Sequence, residues 1–107
     1  RSDDGAETWA TLWEADESVL PDPRCEASLL GDPRAGILYF GNPSSAHSRQ
    51  NYSVHISRDG GVSWEFHAEV YSGGSAYSDM TFTAAGDLAC LFEKDGYKEI
   101  AVGVVSK

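Results

Sequence analysis

The side chains of this sequence that could do chemistry are few and far apart. Glu93 closes an apolar run after Leu91 and Phe92; a carboxylate in such a run needs a partner or a raised pKa. Arg49 stands near the end of a polar loop, Asn42 to Gln50. Its planar fork suits a carboxylate, to which it donates two parallel charge-assisted bonds, although taken alone it reads as a solvated loop arginine. Tyr77 offers a phenol with a reference pKa of about 10, which needs a neighbouring base before it is useful at mild pH. Taken alone, it reads as an aromatic packed ahead of a strand. His47, His55 and His67 show no metal-ligand spacing, and His55 and His67 are expected as exposed sheet residues. Asp3-Asp4-Gly5 lacks the alternating acids of a calcium loop, and no Gly-rich phosphate loop follows a strand. The expectation is no metal and no cofactor.

Strands must position these groups, because no long segment has a helical period. Apolar runs cover Thr8 to Trp13, Cys25 to Leu30 and Gly36 to Gly41. Tyr52, Val54 and Ile56 then alternate with Ser53, His55 and Ser57, and Trp64, Phe66, Ala68 and Val70 with Glu65, His67 and Glu69. This pair reads as a hairpin with one buried face. Ser72 to Ala76 reads as a Gly/Ser loop, and Ser78 to Thr83, Leu88 to Glu93 and Glu99 to Val105 as a meander.

The hairpin turn carries the most specific pattern. Ser57, Asp59, Gly61 and Trp64 fit S-x-D-x-G-x-x-W, the pattern of an Asp box. Ser57 and Asp59 supply short acceptors for turn N–H groups, Gly60 and Gly61 allow positive φ, and Trp64 can anchor the turn with its ring. A second copy at residues 2–9 has Ser2, Asp4 and Trp9 in register, with Ala6 in place of the glycine. The copies are 55 residues apart, a spacing in the range of one propeller blade with loop insertions. With boxes at 2–9 and 57–64, the expected fold is all-β: about two blades of antiparallel four-stranded sheet from a larger propeller. Thr8 to Trp13 would end one blade, the four runs from Cys25 to Val70 would form the next, and the last three strands a blade lacking its outer strand. Residues 1–107 then form an incomplete domain, whose open edges need the remaining blades or another chain of the same protein as partner.

Composition narrows the partners. A net charge of −9, from 17 acidic and 8 basic residues, argues against nucleic acid, since no basic stripe exists to neutralise phosphates. No apolar run approaches a membrane span. Arg1 in place of Met suggests an internal start. Cys25 and Cys90 are too few for a disulfide framework; two buried free thiols and a single disulfide both remain open. Asn51-Tyr52-Ser53 is a glycosylation sequon, which points to a secretory route with a secreted or lysosomal destination.

The order of motifs is more specific than any one of them. Asp box, Pro-rich loop, Cys25-Glu26-Ala27-Ser28, Tyr39-Phe40-Gly41-Asn42-Pro43, Arg49-Gln50-Asn51, second Asp box, Tyr77-Ser78-Asp79 and Leu91-Phe92-Glu93 follow one another. The chain thereby resembles, over essentially its whole length, the C-terminal part of the exo-α-sialidases (neuraminidases). The resemblance implies a six-bladed propeller whose Asp boxes are structural, and removal of terminal sialic acid from a sialylated glycan. It implies Tyr77 as nucleophile, Arg49 as one of three arginines that bind the substrate carboxylate, and Glu93 as the acid that holds another of them. Glu26 stands where relatives often carry glutamine and is implied as a pocket-lining residue. The activating glutamate, the acid/base aspartate and two arginines have no candidate in this chain. A different class fits the boxes alone: a non-catalytic Asp-box propeller serving as a glycan-binding or interaction module.

Overall fold

The computed structural model describes residues 2–11 and 16–107. Six strands follow in order: β1 (Ser28–Asp32), β2 (Ile37–Pro43), β3 (Gln50–Ser57), β4 (Glu65–Phe82), β5 (Leu88–Lys94) and β6 (Glu99–Val105). Each pairs antiparallel with the next, so spatial order equals chain order.

The 18-residue β4 decides the shape. Its first part pairs with β3, from Glu65 opposite Ile56 to Gly74 opposite Gln50. Its second part pairs with β5, from Ser75 opposite Lys94 to Phe82 opposite Leu88. Four strands and then three therefore share one long strand, and the sheet curls on itself. The core fills the fold between the two halves, with Tyr39, Tyr52, Val54 and Ile56 against Met80, Leu88, Cys90 and Phe92. The Tyr52 and Phe92 rings lie 5.1 Å apart between centroids, and Tyr39 meets Phe82 edge-on at 5.8 Å, separations at which aromatic pairs add to simple area burial.

Several expectations change. The expected loop Ser72 to Ala76 is part of β4, held by the Gly74 carbonyl accepting from Asp95 N–H and by Ser75 N–H donating to the Arg49 carbonyl. Residues 8–11 of the expected first strand are not extended in a sheet, and its remainder, Leu12 and Trp13, lies outside the described residues. Cys25 precedes β1, and Cys25 and Cys90 are both free thiols. His55 is buried and His67 half-buried, against the expectation of exposure. The cause is a register shift between Val54 and His55 that sets Phe66 opposite His55 and Ala68 opposite Val54. This bulge breaks the alternation of β4: Phe66 is turned outward with its ring against His55, and His67 meets the Tyr39 ring.

The two Ser-x-Asp turns have the same hydrogen bonds. In the second, Ser57 Oγ accepts from Gly61 N–H at 2.8 Å, and Asp59 Oδ1 accepts from Ser63 N–H at 2.9 Å. In the first, Ser2 Oγ accepts from Ala6 N–H at 2.8 Å, and Asp4 Oδ1 from Thr8 N–H at 3.0 Å. Gly60 and Gly61 have φ of 75° and 92°, and Gly5 and Ala6 have 74° and 71°. Ala6 thus holds a conformation that glycine adopts freely. The tryptophans differ. Trp64 donates Nε1–H to the Gly61 carbonyl at 3.1 Å and packs on Phe40, whereas Trp9 is largely exposed.

Candidate functional site

One end of the curled sheet gathers residues that are distant in sequence. Arg49 precedes β3, Glu26 precedes β1, Tyr77 lies at the point where β4 crosses to its second partner, and Glu93 is near the end of β5. The antiparallel order places all four at this end.

The Arg49 guanidinium carbon stands 5.5 Å from the centroid of the Tyr77 ring, within cation–π range. Its Nη1 donates to the Tyr97 hydroxyl at 2.9 Å and its Nη2 to the Arg24 carbonyl at 3.2 Å. The hydrogen bond to Tyr97, with the nearby Cys25 thiol, raises the pKa of an already strong base, so Arg49 is a fixed cation. Burial pushes the Cys25 thiol up.

Both glutamates hold the backbone beside the phenol. Glu93 Oε2 accepts from Tyr77 N–H and Glu26 Oε2 from Ser78 N–H, each at 3.2 Å. The partner required by a carboxylate on an apolar strand is thus the Tyr77 amide, which leaves the other oxygen of Glu93 available. Asp79 Oδ1 accepts from Ser28 Oγ–H at 3.2 Å and from Met80 N–H at 2.9 Å, linking β1 directly to β4 beneath the site. Tyr77 is half exposed and lines, with Asp79, Leu91, Glu93 and Ile100, a groove of about 200 Å³.

A second layer holds the loop before β1. Asn42, fully buried, donates Nδ2–H to the Pro21 carbonyl at 2.9 Å and to Asp22 Oδ2 at 3.1 Å. Asp22 Oδ1 accepts from the N–H groups of Arg24 at 2.7 Å and Cys25 at 3.2 Å. This chain of bonds presents the Arg24 carbonyl to Arg49. Asn51, half-buried with φ 64°, donates its side-chain amide to the Ser44 carbonyl at 3.3 Å. Among the described residues, no group of histidine, cysteine or acids is arranged to hold a metal, and no helix is long and apolar enough to cross a membrane.

Sequence reasoning missed Tyr97 and Asn42. Tyr97 sits in the β5–β6 turn behind Asp95-Gly96, where nothing in its neighbours marks it. Asn42 entered only as the start of the expected loop Asn42 to Gln50 and within the Tyr39–Pro43 motif, with no role for its side chain; it lies in β2.

No family profile matches the chain. It is 32% identical over 82 residues to a sialidase of Micromonospora viridifaciens, covering 69% of this chain and 13% of that protein. It is 39% identical over 67 residues to a sialidase of Bacteroides fragilis, covering 57% and 12%. A sialidase of Vibrio cholerae is 30% identical over 89 residues, covering 74% and 11%. Among solved structures, the Hadza microbial sialidase Hz136 matches 82% of this chain and 18% of its own length, with a TM-score of 0.72 and 26% identity. This is a sialidase-like, all-β segment, and it spans about an eighth of the length of the curated relatives it matches.

Proposed function

We propose that the chain is the C-terminal part of a retaining exo-sialidase, with Tyr77 as nucleophile and Arg49 as a ligand of the substrate carboxylate. The observation that carries the reading is the meeting of Arg49, Tyr77, Glu93 and Glu26 at one end of the sheet, with the guanidinium 5.5 Å from the phenol ring.

The chemistry accounts for these residue types. The anomeric carbon of a sialoside bears a carboxylate, so an Asp or Glu nucleophile would approach against like charge. A neutral phenol that loses its proton as it attacks avoids that repulsion. Tyr77 oxygen forms the bond to the anomeric carbon while the bond to the leaving oxygen breaks and that oxygen takes a proton from an acid. The base for the phenol and the acid for the leaving group are contributed by parts of the polypeptide outside this segment. Water then cleaves the tyrosyl link, with retention overall. Glu93, fixed through the Tyr77 amide, has an oxygen left to hold a second arginine of the carboxylate site; Glu26 borders the pocket. On this reading the sheet halves are adjoining propeller blades, the Ser-x-Asp turns are Asp boxes, and the remaining blades are the partner this segment requires.

The test is Tyr77→Phe in the full-length polypeptide, assayed with a fluorogenic sialoside. Turnover should fall by about three orders of magnitude or more, as expected for loss of a covalent route, while sialic acid binding persists. A normal kcat would refute Tyr77 as the nucleophile, whereas a wild-type protein that binds the sialoside without cleaving it would leave a glycan-binding propeller as the reading.

A further inference from the structure

Among the described residues, left-handed backbone at positions that carry a side chain is concentrated around Arg49. Five of the described residues that are not glycine have positive φ: Ala6, Arg24, Asn51, Asp95 and Tyr97. Ala6 belongs to the first Ser-x-Asp turn; the other four surround Arg49. Tyr97 (φ 68°) provides the hydroxyl on Nη1, and Arg24 (φ 58°) the carbonyl on Nη2. Asn51 (φ 64°) follows two residues later, at the start of β3. Asp95 (φ 51°) donates its N–H to Gly74, the residue before Ser75, whose N–H holds the Arg49 carbonyl at 3.0 Å. Left-handed backbone at residues with a side chain is unfavourable, and it persists where surrounding structure requires it, often at ligand clamps.

The identity of the two partners matters as much as their geometry. A hydroxyl and a carbonyl are both neutral acceptors, so they fix the guanidinium plane without neutralising it. A guanidinium has five N–H donors; with two engaged, three remain for an anion. The Tyr97 hydroxyl, accepting from Arg49, also keeps its own proton to donate.

We propose that Tyr97 is a positioning residue for the carboxylate site: its hydroxyl locks the Arg49 guanidinium into a preorganised, uncompensated fork. The inference rests on the reading of Arg49 as a carboxylate ligand. Preorganisation of this type acts on binding of a group that is present in both substrate and transition state, so it appears in KM and leaves kcat alone.

The experiment is Tyr97→Phe in the full-length polypeptide, alone and combined with Arg49→Lys, measured on a fluorogenic sialoside. Tyr97→Phe removes only the oxygen. It should raise KM about tenfold, the size expected for one hydrogen bond to a charged group, with kcat within about twofold. In the Arg49→Lys background, where no fork remains to be oriented, the same change should alter KM by less than about twofold. An unchanged KM in the single variant would overturn the proposal, as would an equal rise in both backgrounds, which marks a merely structural effect. Failure of the sialidase reading is separate: the wild-type protein would neither cleave nor bind the sialoside.

Discussion

Gly41 sits in β2 where the core meets the loop that serves the site. A Cβ at this position would lie 2.6 Å from the Tyr52 hydroxyl oxygen and 2.9 Å from Met80 Sδ. Tyr52 is fully buried, and burial drives its hydroxyl pKa well above the usual phenol value, so the ring has neither space to retreat nor a charged form to adopt. Gly41→Ala should therefore cost about 1–3 kcal/mol, the usual range for overpacking, read as a lower urea midpoint at unchanged slope. The neighbouring Asn42 holds Pro21 and Asp22, so on the proposed reading the strain should also reach Arg24 and weaken sialoside binding in the full-length protein. Single residues were legible in sequence to different degrees. The apolar face of β3, Tyr52, Val54 and Ile56, is visible in the alternation and is buried as expected. His55, on the other face, is covered by the Phe66 ring, and a register shift that creates such a contact leaves no mark in the local pattern.

Turns and strands show the same division between local and non-local causes. The Ser-x-Asp turns were legible because each bond joins residues at most four apart: type and spacing suffice. Their chemistry also sets a pH dependence. The hydroxyl and N–H of Ser63, then the hydroxyl of Ser57, donate to the Asp59 carboxylate and draw its pKa down to about 2 from an ordinary 3.8. Asp4 is lowered to about 2 by Thr8 and Ser2. A depressed carboxyl pKa contributes stability that is fully present above the ordinary value and is lost as pH falls through the folded one. Thermal stability should therefore decline from about pH 4 to pH 2, and Asp59→Asn should flatten part of that decline. An identical acid profile in the variant would remove Asp59 from the account. The long β4 was not legible. Its Gly/Ser centre has the composition of a loop, and only pairing to Asp95 and Arg49 extends it. Tertiary pairing overrides propensity here. The candidate site shares this limit: residues 26, 49, 77 and 93 come from motif order and resemblance, while their meeting depends on the path of β4.

At the scale of the whole molecule, one face of the second half of the sheet has no covering layer among the described residues. Ile100, Val102 and Val104 alternate along β6 and are 67%, 62% and 60% exposed. Leu91 and Tyr77 extend the patch toward the candidate site, at 45% and 50%. Ala101 and Val105, on the opposite face, pack against the core. A strand apolar on both faces is the pattern of one buried on both sides, and contiguous exposed apolar surface marks an interface. On the proposed reading, the adjoining blade covers this face and completes the groove beside Tyr77, so catalysis and folding draw on the same contact. The consequence can be measured on the 107-residue chain alone. It should self-associate at micromolar concentration and bind a hydrophobic dye, because burying this face is the most favourable process open to it. Replacing Ile100, Val102 and Val104 by threonine keeps β propensity and removes apolar area; this variant should sediment as a monomer with little dye bound. Added to the full-length polypeptide, the same replacements should lower sialoside turnover, although none of the three has a catalytic part. A wild-type segment that is monomeric and dye-free would show that the face is stable in water, and the need for adjoining blades would then have to rest on the edges of β1 and β6 alone.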